Sequence, residues 1–458
     1  MDYLINNYRA KKFRNKYLVT TDHGSYCILS LDEFKRLSQN NIDDPLKTKL
    51  EKKEIILSHS NINETARLIR NRNDFLFHGT SLHIVVVTLR CNMKCIYCHA
   101  SSRRENEFEF DMNKETARKT VDFIFQTPND SITIEFQGGE PLLNWGIVKY
   151  IINYSKEKNK KAKKNLRVTI VTNLTEMDEE KMDYLINHNI GVCTSLDGPK
   201  EVHDYNRKYT GRSNYEIVTQ WIKKFSKEYK RRGIKNKRIN ALVTLTNISL
   251  KKPEAIIDEY TKLGLKEIHL RFLNNLGVAR KVWAHISYPS NKYLKFWKKA
   301  VSHIVKLQKE GKKINERMVS IMTNKIQNEF DPNYLDLRSP CGAAIGQLAY
   351  NYNGDIYTCD EGRMIGDDLF WLGNVKKDNY KSIMTSNKVC AVITASLNDQ
   401  YICNSCVYKP YCGICPVCNY AEQGNVVGKI PQTDRCKIFK EQFDWVIREK
   451  FINNINNK

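Results

Sequence analysis

The chain has 458 residues, 41% of them hydrophobic, enough for two or three domains with cores of their own. Lys and Arg number 74 against 51 Asp and Glu, a net charge of +23. Such a charge would suit RNA or an acidic peptide, but Lys dominates and no Arg-rich stripe stands out, so it reads as a solvated surface and nucleic acid is not an expected partner. The opening MDYLINNYRAKKFRNKY has no apolar segment or cleavage site of a signal peptide, and apolar runs such as Ile84 to Val87 are far too short to span a bilayer. A cytoplasmic protein with no membrane contact is expected.

Residues 1–80 read as a small α+β domain. Tyr17 to Ser30 predicts a hairpin turning at Asp22-His23-Gly24, and LDEFKRLS and DPLKTKLEKKEIIL predict helices. The order resembles the peptide-recognition modules of peptide-modifying enzymes and equally suits a plain capping domain. Residues 81–290 alternate short apolar segments with helical patterns. The predicted strands are Leu82–Thr88, Ser131–Phe136, Arg167–Thr172, Ile190–Ser195, Ile239–Thr246 and Glu267–Phe272. Predicted helix faces carry Ala117, Val121, Ile124 and Phe125; Ile147, Tyr150, Ile151 and Tyr154; and Ile217, Trp221, Ile222 and Phe225. Six βα units imply an α/β fold, an open partial (β/α)6 barrel with its site at the C-terminal strand ends. Residues 291–338 predict a helical bridge with Trp297, Val301, Ile304 and Val305 on one face. Residues 339–458 are irregular and Cys-rich, a composition suited to a region held by metal clusters rather than by a large apolar core.

The 14 Cys are clustered, which in a reducing compartment points to metal rather than disulfides. TLRCNMKCIYCHA follows the first predicted barrel strand, presenting Cys91, Cys95 and Cys98. Three thiolates on a 4Fe–4S cluster leave one iron open to an outside ligand; the motif alone would also serve zinc. Gly138-Gly139-Glu140-Pro141 follows the second strand. The glycines allow close backbone approach to a ligand, and Glu140 can receive an ammonium group. Thr172-Asn173 ends the third strand and Ser195-Leu196-Asp197-Gly198-Pro199 the fourth, both offering polar groups at the mouth.

The Cys91/Cys95/Cys98 loop, with Tyr97 before its last Cys, resembles the radical S-adenosylmethionine (SAM) family. That resemblance implies a 4Fe–4S cluster that reductively cleaves SAM to a 5′-deoxyadenosyl radical, with cofactor contacts from Tyr97, Gly138, Gly139, Glu140, Thr172, Asn173, Ser195 and Asp197. SLDGPKEVHDYNR resembles the equivalent stretch of anaerobic sulfatase-maturing enzymes, which implies SAM contacts from Ser195 and Arg207, the latter at the methionine carboxylate. For Arg207 a surface salt bridge is the plainer alternative.

The C-terminal spacing, Cys341, Gly354-x4-Cys359, Cys403-x2-Cys406-x5-Cys412, Cys415, Cys418 and Cys436, resembles the SPASM domain, which holds two auxiliary Fe–S clusters. The resemblance implies Cys403, Cys406, Cys412 and Cys436 for the second cluster. It implies Cys341, Cys359 and one of Cys415 or Cys418 for the first, with Cys415 favoured by its proline neighbour. The family spacing after Cys412 is x3, where this chain has x2 and x5, leaving open whether the first cluster has full protein ligation. Asp360 stands where sulfatase-maturing relatives carry a carboxylate proposed to take the substrate proton; it also suits a turn residue bonding local amides. Cys27, Cys193 and Cys390 are expected to be inert.

FLFHGTSLHIVVVTLRCNMKCIYC, CDEGRM and PYCGICPVCNYAEQG resemble the maturases of the His-Xaa-Ser peptide system. This implies an oxidoreductase that modifies a ribosomally made precursor peptide by cross-linking or oxidation. It also implies an electron donor such as flavodoxin or ferredoxin, and leaves room for a second radical SAM maturase as partner. The alternatives are a formylglycine-forming sulfatase maturase and, from another class, a basic RNA-binding protein with structural zinc.

Overall fold

The computed structural model describes residues 3–235 and 237–453; the outermost parts of the first and last predicted domains, 1–2 and 454–458, lie outside it. The predicted hairpin is strands β2 and β3 of an antiparallel sheet made of β1 Tyr8–Phe13, β2 Lys16–Thr21 and β3 Tyr26–Ser30. The sequence reading missed β1 because YRAKKF lacks an apolar alternation. Its buried positions are Arg9, paired with Asp22 at 2.7 Å, and Phe13. Helix α1 Leu31–Ser38 starts on a capping box of Ser30 and Glu33. Helix α2 Asp44–Glu51 is shorter than predicted. The chain leaves it, Glu54 takes a left-handed φ of 49°, and Ile56–Leu57 pairs antiparallel with Leu4–Ile5. Helix α3 Ile62–Arg72 leads on to the main sheet.

The six predicted barrel strands appear in order as β4 Leu82–Val86, β5 Ser131–Gln137, β6 Asn165–Thr172, β7 Gly191–Ser195, β8 Asn240–Thr244 and β9 Leu270–Arg271. Each pairs in parallel with its sequence neighbour. The last is shorter than expected: Glu267–Ile268 leaves the sheet and pairs with Asn315–Glu316 instead. Alternate residues of β5 point to opposite sides, so Ile132, Ile134 and Phe136 are buried against helices while Thr133, Glu135 and Gln137 are only partly covered. Helices α4 Lys114–Ile124, α5 Trp145–Ala162, α6 Glu179–Asn187, α7 Lys200–Asn206, α8 Asn214–Arg231 and α9 Pro253–Lys262 lie between the strands. The stripe on α5 is rotated from the predicted one. Val148, Ile151 and Ile152 are buried, whereas Ile147, Tyr150 and Tyr154 are half-buried with their polar or bulky ends outward.

The bridge is helix α10 Ser290–Lys309, burying Trp297, Val301 and Ile304, followed by α11 Arg317–Gln327. Beyond it, β10 Gln347–Tyr350 adds to β4 in parallel, and β11 Asp355–Tyr357 and β12 Trp371–Asn374 continue the sheet antiparallel, making nine strands. The C-terminal region thus also contributes strands to the barrel sheet. Helix α13 Asp434–Val446 buries Ile438, Phe439, Phe443 and Val446 in the same apolar core as the barrel. Among the described residues no helix is long and apolar enough to cross a membrane.

Candidate active site

The Cys91–Cys98 loop leaves β4 and folds back on the strand ends. Met93–Cys95 forms a short antiparallel pair with Arg207–Tyr209, with Cys95 opposite Arg207. The N–H of Ile96 donates to the Asn206 carbonyl at 2.9 Å, and that of Cys91 to the Arg103 carbonyl at 3.0 Å. Asn173 donates through Nδ2 to Asn92 at 3.2 Å and lies 3.9 Å from Cys91 Sγ, tying the end of β6 to the loop. Burial pushes the Cys95 thiol up to about 12 against the pull of Arg207. Burial, Cys95, Glu140 and Cys98 push Cys91 up as well. Buried thiols that raise one another stay protonated until a cation displaces their protons.

Gly138 and Gly139 pack against the backbone leading into the loop. A Cβ on Gly139 would collide with the carbonyl oxygen of Arg90, and Gly138, at φ +115°, lies against Val86 and the Thr88 carbonyl. The Gly139 N–H donates to Thr88 at 3.0 Å and the Glu140 N–H to Arg90 at 2.7 Å. The predicted glycine-dependent close approach therefore exists, but its partner is the backbone leading into the cysteines. Glu140 is buried. Its Oε1 accepts from Thr172 Oγ1 at 2.6 Å and Leu142 N at 3.1 Å, and its Oε2 from Asn173 N at 2.7 Å. Burial pushes it up to about 7 despite these donors. Among the described residues no cation pairs with it, so an incoming ammonium would complete the site.

Asp197 has a different place from the one its position in the sequence suggests. It is fully buried. Its Oδ2 accepts from Tyr97 Oη at 2.6 Å, Asn206 Nδ2 at 3.2 Å and Arg207 Nε at 3.2 Å, and its Oδ1 from Thr244 N at 3.2 Å. Four protein donors occupy it, so it positions Tyr97 and Arg207 instead of offering oxygens to a ribose. Arg207 is in no surface pair. It lies between Asp197 and Cys95, its Nη1 3.7 Å from that sulfur and its guanidinium 5.2 Å from the Tyr97 ring centre. Ser195 is partly exposed on the same strand face as Cys193. Sequence reasoning missed Gly277, whose α-carbon faces the carbonyls of Cys98 and His99, with Val278 N donating to Cys98 at 2.8 Å. A lone glycine beyond the last strand gives little signal.

The C-terminal cysteines fall in two groups. Cys341, Cys359, Cys415 and Cys418 pack in one buried apolar cluster with Leu276, Phe370 and Val417. Cys403, Cys406, Cys412 and Cys436 line a cavity of about 130 Å³, and burial with the other three sulfurs pushes Cys412 up. Asp360 accepts from Arg363 Nε at 2.8 Å in a buried pair, so a proton-accepting Asp360 would act beside a fixed cation. A cavity of about 700 Å³ opens between the end of β9, Trp283, Tyr288 and the 422–438 segment.

A half-open parallel barrel with three thiols and a buried carboxylate at its mouth defines an iron–sulfur enzyme site. Residues 85–270 match the model of the radical SAM superfamily, a family of enzymes. It is 25% identical to a cysteine-type anaerobic sulfatase-maturating enzyme of Clostridium perfringens over 82% of this chain and 98% of that one. It is 24% identical to the subtilosin biosynthesis protein AlbA of Bacillus subtilis over 72% of this chain and 65% of that one. Its fold matches native anSMEcpe with bound AdoMet and Cp18Cys peptide at a TM-score of 0.67, with 22% identity and coverage of 83% and 100%. It also matches Streptococcus suis SuiB bound to precursor peptide SuiA at 0.57, with 13% identity and coverage of 92% and 97%. The residues fit the family's cofactors. Cys91, Cys95 and Cys98 supply three partly buried thiols, Glu140 has no cation partner among the described residues, and the two C-terminal sets supply further sulfurs. This enzyme fold leaves no support for a zinc-stabilised RNA-binding protein.

Proposed function

We propose that this enzyme modifies a ribosomally made peptide by radical chemistry, through a cross-link or an oxidation, as the His-Xaa-Ser maturases it resembles are expected to do. The observation that carries the proposal is the joint placement of Cys91, Cys95 and Cys98 against Asn173 and Arg207, with Glu140 behind them. Cys91, Cys95 and Cys98 would hold a 4Fe–4S cluster, which would supply the electron for cleavage of SAM to methionine and a hydrogen-abstracting 5′-deoxyadenosyl radical. Glu140 would hold the SAM ammonium, Arg207 its carboxylate, and Gly138 and Gly139 keep the loop in place. Thr172 and Asn173 orient Glu140, Ser195 faces the adenosine end, and Asp197 fixes Tyr97 and Arg207. Cys403, Cys406, Cys412 and Cys436, and the set containing Cys341 and Cys359, would hold auxiliary clusters. Asp360 would take the substrate proton.

The relatives support a peptide substrate, since sulfatase maturation and subtilosin biosynthesis both concern polypeptides. The 700 Å³ cavity, lined by Leu273, Trp283 and Tyr288, which cluster with Tyr97, gives an extended segment room. In this reading residues 1–80 recognise peptide, 81–290 form the barrel, 291–338 the bridge and 339–458 the auxiliary-cluster region. In the same reading a flavodoxin or ferredoxin supplies electrons in the cytoplasm, and a second radical SAM maturase is a partner. A second reading, formylglycine formation on a sulfatase, is favoured by the alignment over 98% of the Clostridium perfringens enzyme.

The test is anaerobic SAM cleavage with peptides encoded beside the gene and with a Cys- or Ser-containing sulfatase peptide. Substrate-dependent 5′-deoxyadenosine with a mass change in the neighbouring peptide supports the first reading. An aldehyde on the sulfatase peptide supports the second. Full SAM cleavage after Cys91, Cys95 and Cys98 are changed to Ala overturns both.

A further inference from the structure

We propose that Cys418 acts together with Cys415, not in its place, so that Cys341, Cys359, Cys415 and Cys418 give every iron of the first auxiliary cluster a protein thiolate. The inference rests on the functional reading above and deepens it: this cluster would have no iron open to the peptide.

Helix α12, Pro416–Gln423, has Cys415 as its N-cap and Cys418 in its first turn. Cys415 Sγ accepts the Cys418 N–H at 3.4 Å. An N-cap side chain and the residue three positions on lie on one face of the helix start. Cys341 and Cys359 belong to the same apolar cluster as these two, all four are buried, and Cys341 acts electrostatically on both Cys359 and Cys415. The remaining clustered sulfurs, at 403, 406, 412 and 436, make a complete set of four by themselves around their own cavity, which Cys415 borders.

Arg435 supplies the independent observation. Its Nη2 donates to Cys418 Sγ at 2.9 Å and to Asn274 Oδ1 at 3.0 Å, and its guanidinium lies 5.0 Å from the Phe272 ring centre and 5.8 Å from that of Phe439. Among the described residues no carboxylate forms an ion pair with it. A cation in aromatic surroundings aimed at a neutral spare thiol would be poorly compensated, whereas one aimed at a cluster thiolate is matched. Arg207 stands in a comparable relation to Cys95, one of the three cysteines of the barrel loop.

The test uses full-length protein with Cys91, Cys95 and Cys98 changed to Ala, which leaves only auxiliary clusters, about eight irons by the four-per-cluster count. It is reconstituted anaerobically and oxidised with ferricyanide, and the 3Fe–4S signal is read by electron paramagnetic resonance. A cluster with four protein thiolates keeps its irons, so this protein and its Cys390→Ala derivative are expected to be silent. The further change Cys418→Ala exposes one iron and is expected to raise the signal at least tenfold over that baseline. A signal already present before Cys418 is changed overturns the proposal, as does silence after it. Should Cys418→Ala fail to fold, adding cyanide to the reduced parent protein decides. An unchanged spectrum supports full ligation, and an altered one overturns it. Absence of all iron from the parent protein overturns the auxiliary-cluster reading as well, whereas iron with an open-site signal overturns the ligand assignment alone.

Discussion

The Tyr97 hydroxyl donates to Asp197 at 2.6 Å, across 100 residues of sequence and inside a buried pocket. This bond joins the cysteine loop to the end of the fourth barrel strand. It also holds the carboxylate that orients Arg207. The aromatic residue beside the last cysteine is thus part of a chain of contacts, Tyr97 to Asp197 to Arg207 to Cys95, that sets the loop's distance from the barrel.

Tyr97→Phe removes that donor and leaves Asp197 short of a partner. A buried acceptor left unpaired costs about 1–3 kcal/mol. The expected result is a lower melting temperature and weaker SAM binding with iron content unchanged. Calorimetry, SAM titration and iron analysis on one preparation check all three.

Arg207→Lys keeps the charge but loses the planar fork that reaches Asp197 and Cys95 while lying over Tyr97. SAM affinity is expected to fall about tenfold, equivalent to ~1.4 kcal/mol, with the cluster still assembled. Equal loss of iron and SAM binding would show instead that Arg207 chiefly supports the loop.

Gly139→Ala places a methyl group into the Arg90 carbonyl. Backbone on both sides cannot yield as a flexible side chain can. Expected are a loss of about 3 kcal/mol or more and failure to retain iron at the barrel cysteines. Ala at Gly146, where a Cβ meets nothing within 4 Å, should leave both iron content and melting temperature near wild type.

Glu316 is buried at the start of α11, accepting from Val319 N at 2.7 Å and Leu270 N at 3.3 Å, and burial pushes it up to about 7. An acid whose folded value is raised binds more protons folded than unfolded between its ordinary value and the raised one. Stability therefore falls as pH rises through that window. Glu316→Gln keeps the acceptor without the charge. Its advantage over the wild type should be small near pH 4, grow from about pH 4.5 to 7, and level off above, at up to about 3 kcal/mol. Chemical denaturation at pH 4, 6 and 8 measures it. An advantage independent of pH would mean that Glu316 does not change protonation in this range.

The sequence by itself determined the six parallel strands, since short apolar segments alternating with helical patterns mark βα units. It also determined the cysteine spacing, because local ligand geometry is written in neighbouring residues. Hairpin β2–β3 and helix α1 were legible for the same reason: a turn glycine and a capping box act within a few positions. What only the tertiary structure decided are encounters between residues far apart in the chain. The register that sets Arg207 opposite Cys95, the withdrawal of Asp197 from the mouth, the approach of Arg435 to Cys418 and the addition of β10–β12 to the barrel sheet all depend on how separate elements pack. Charge placed by packing, unlike apolar periodicity, has no repeat along the chain from which it could be read.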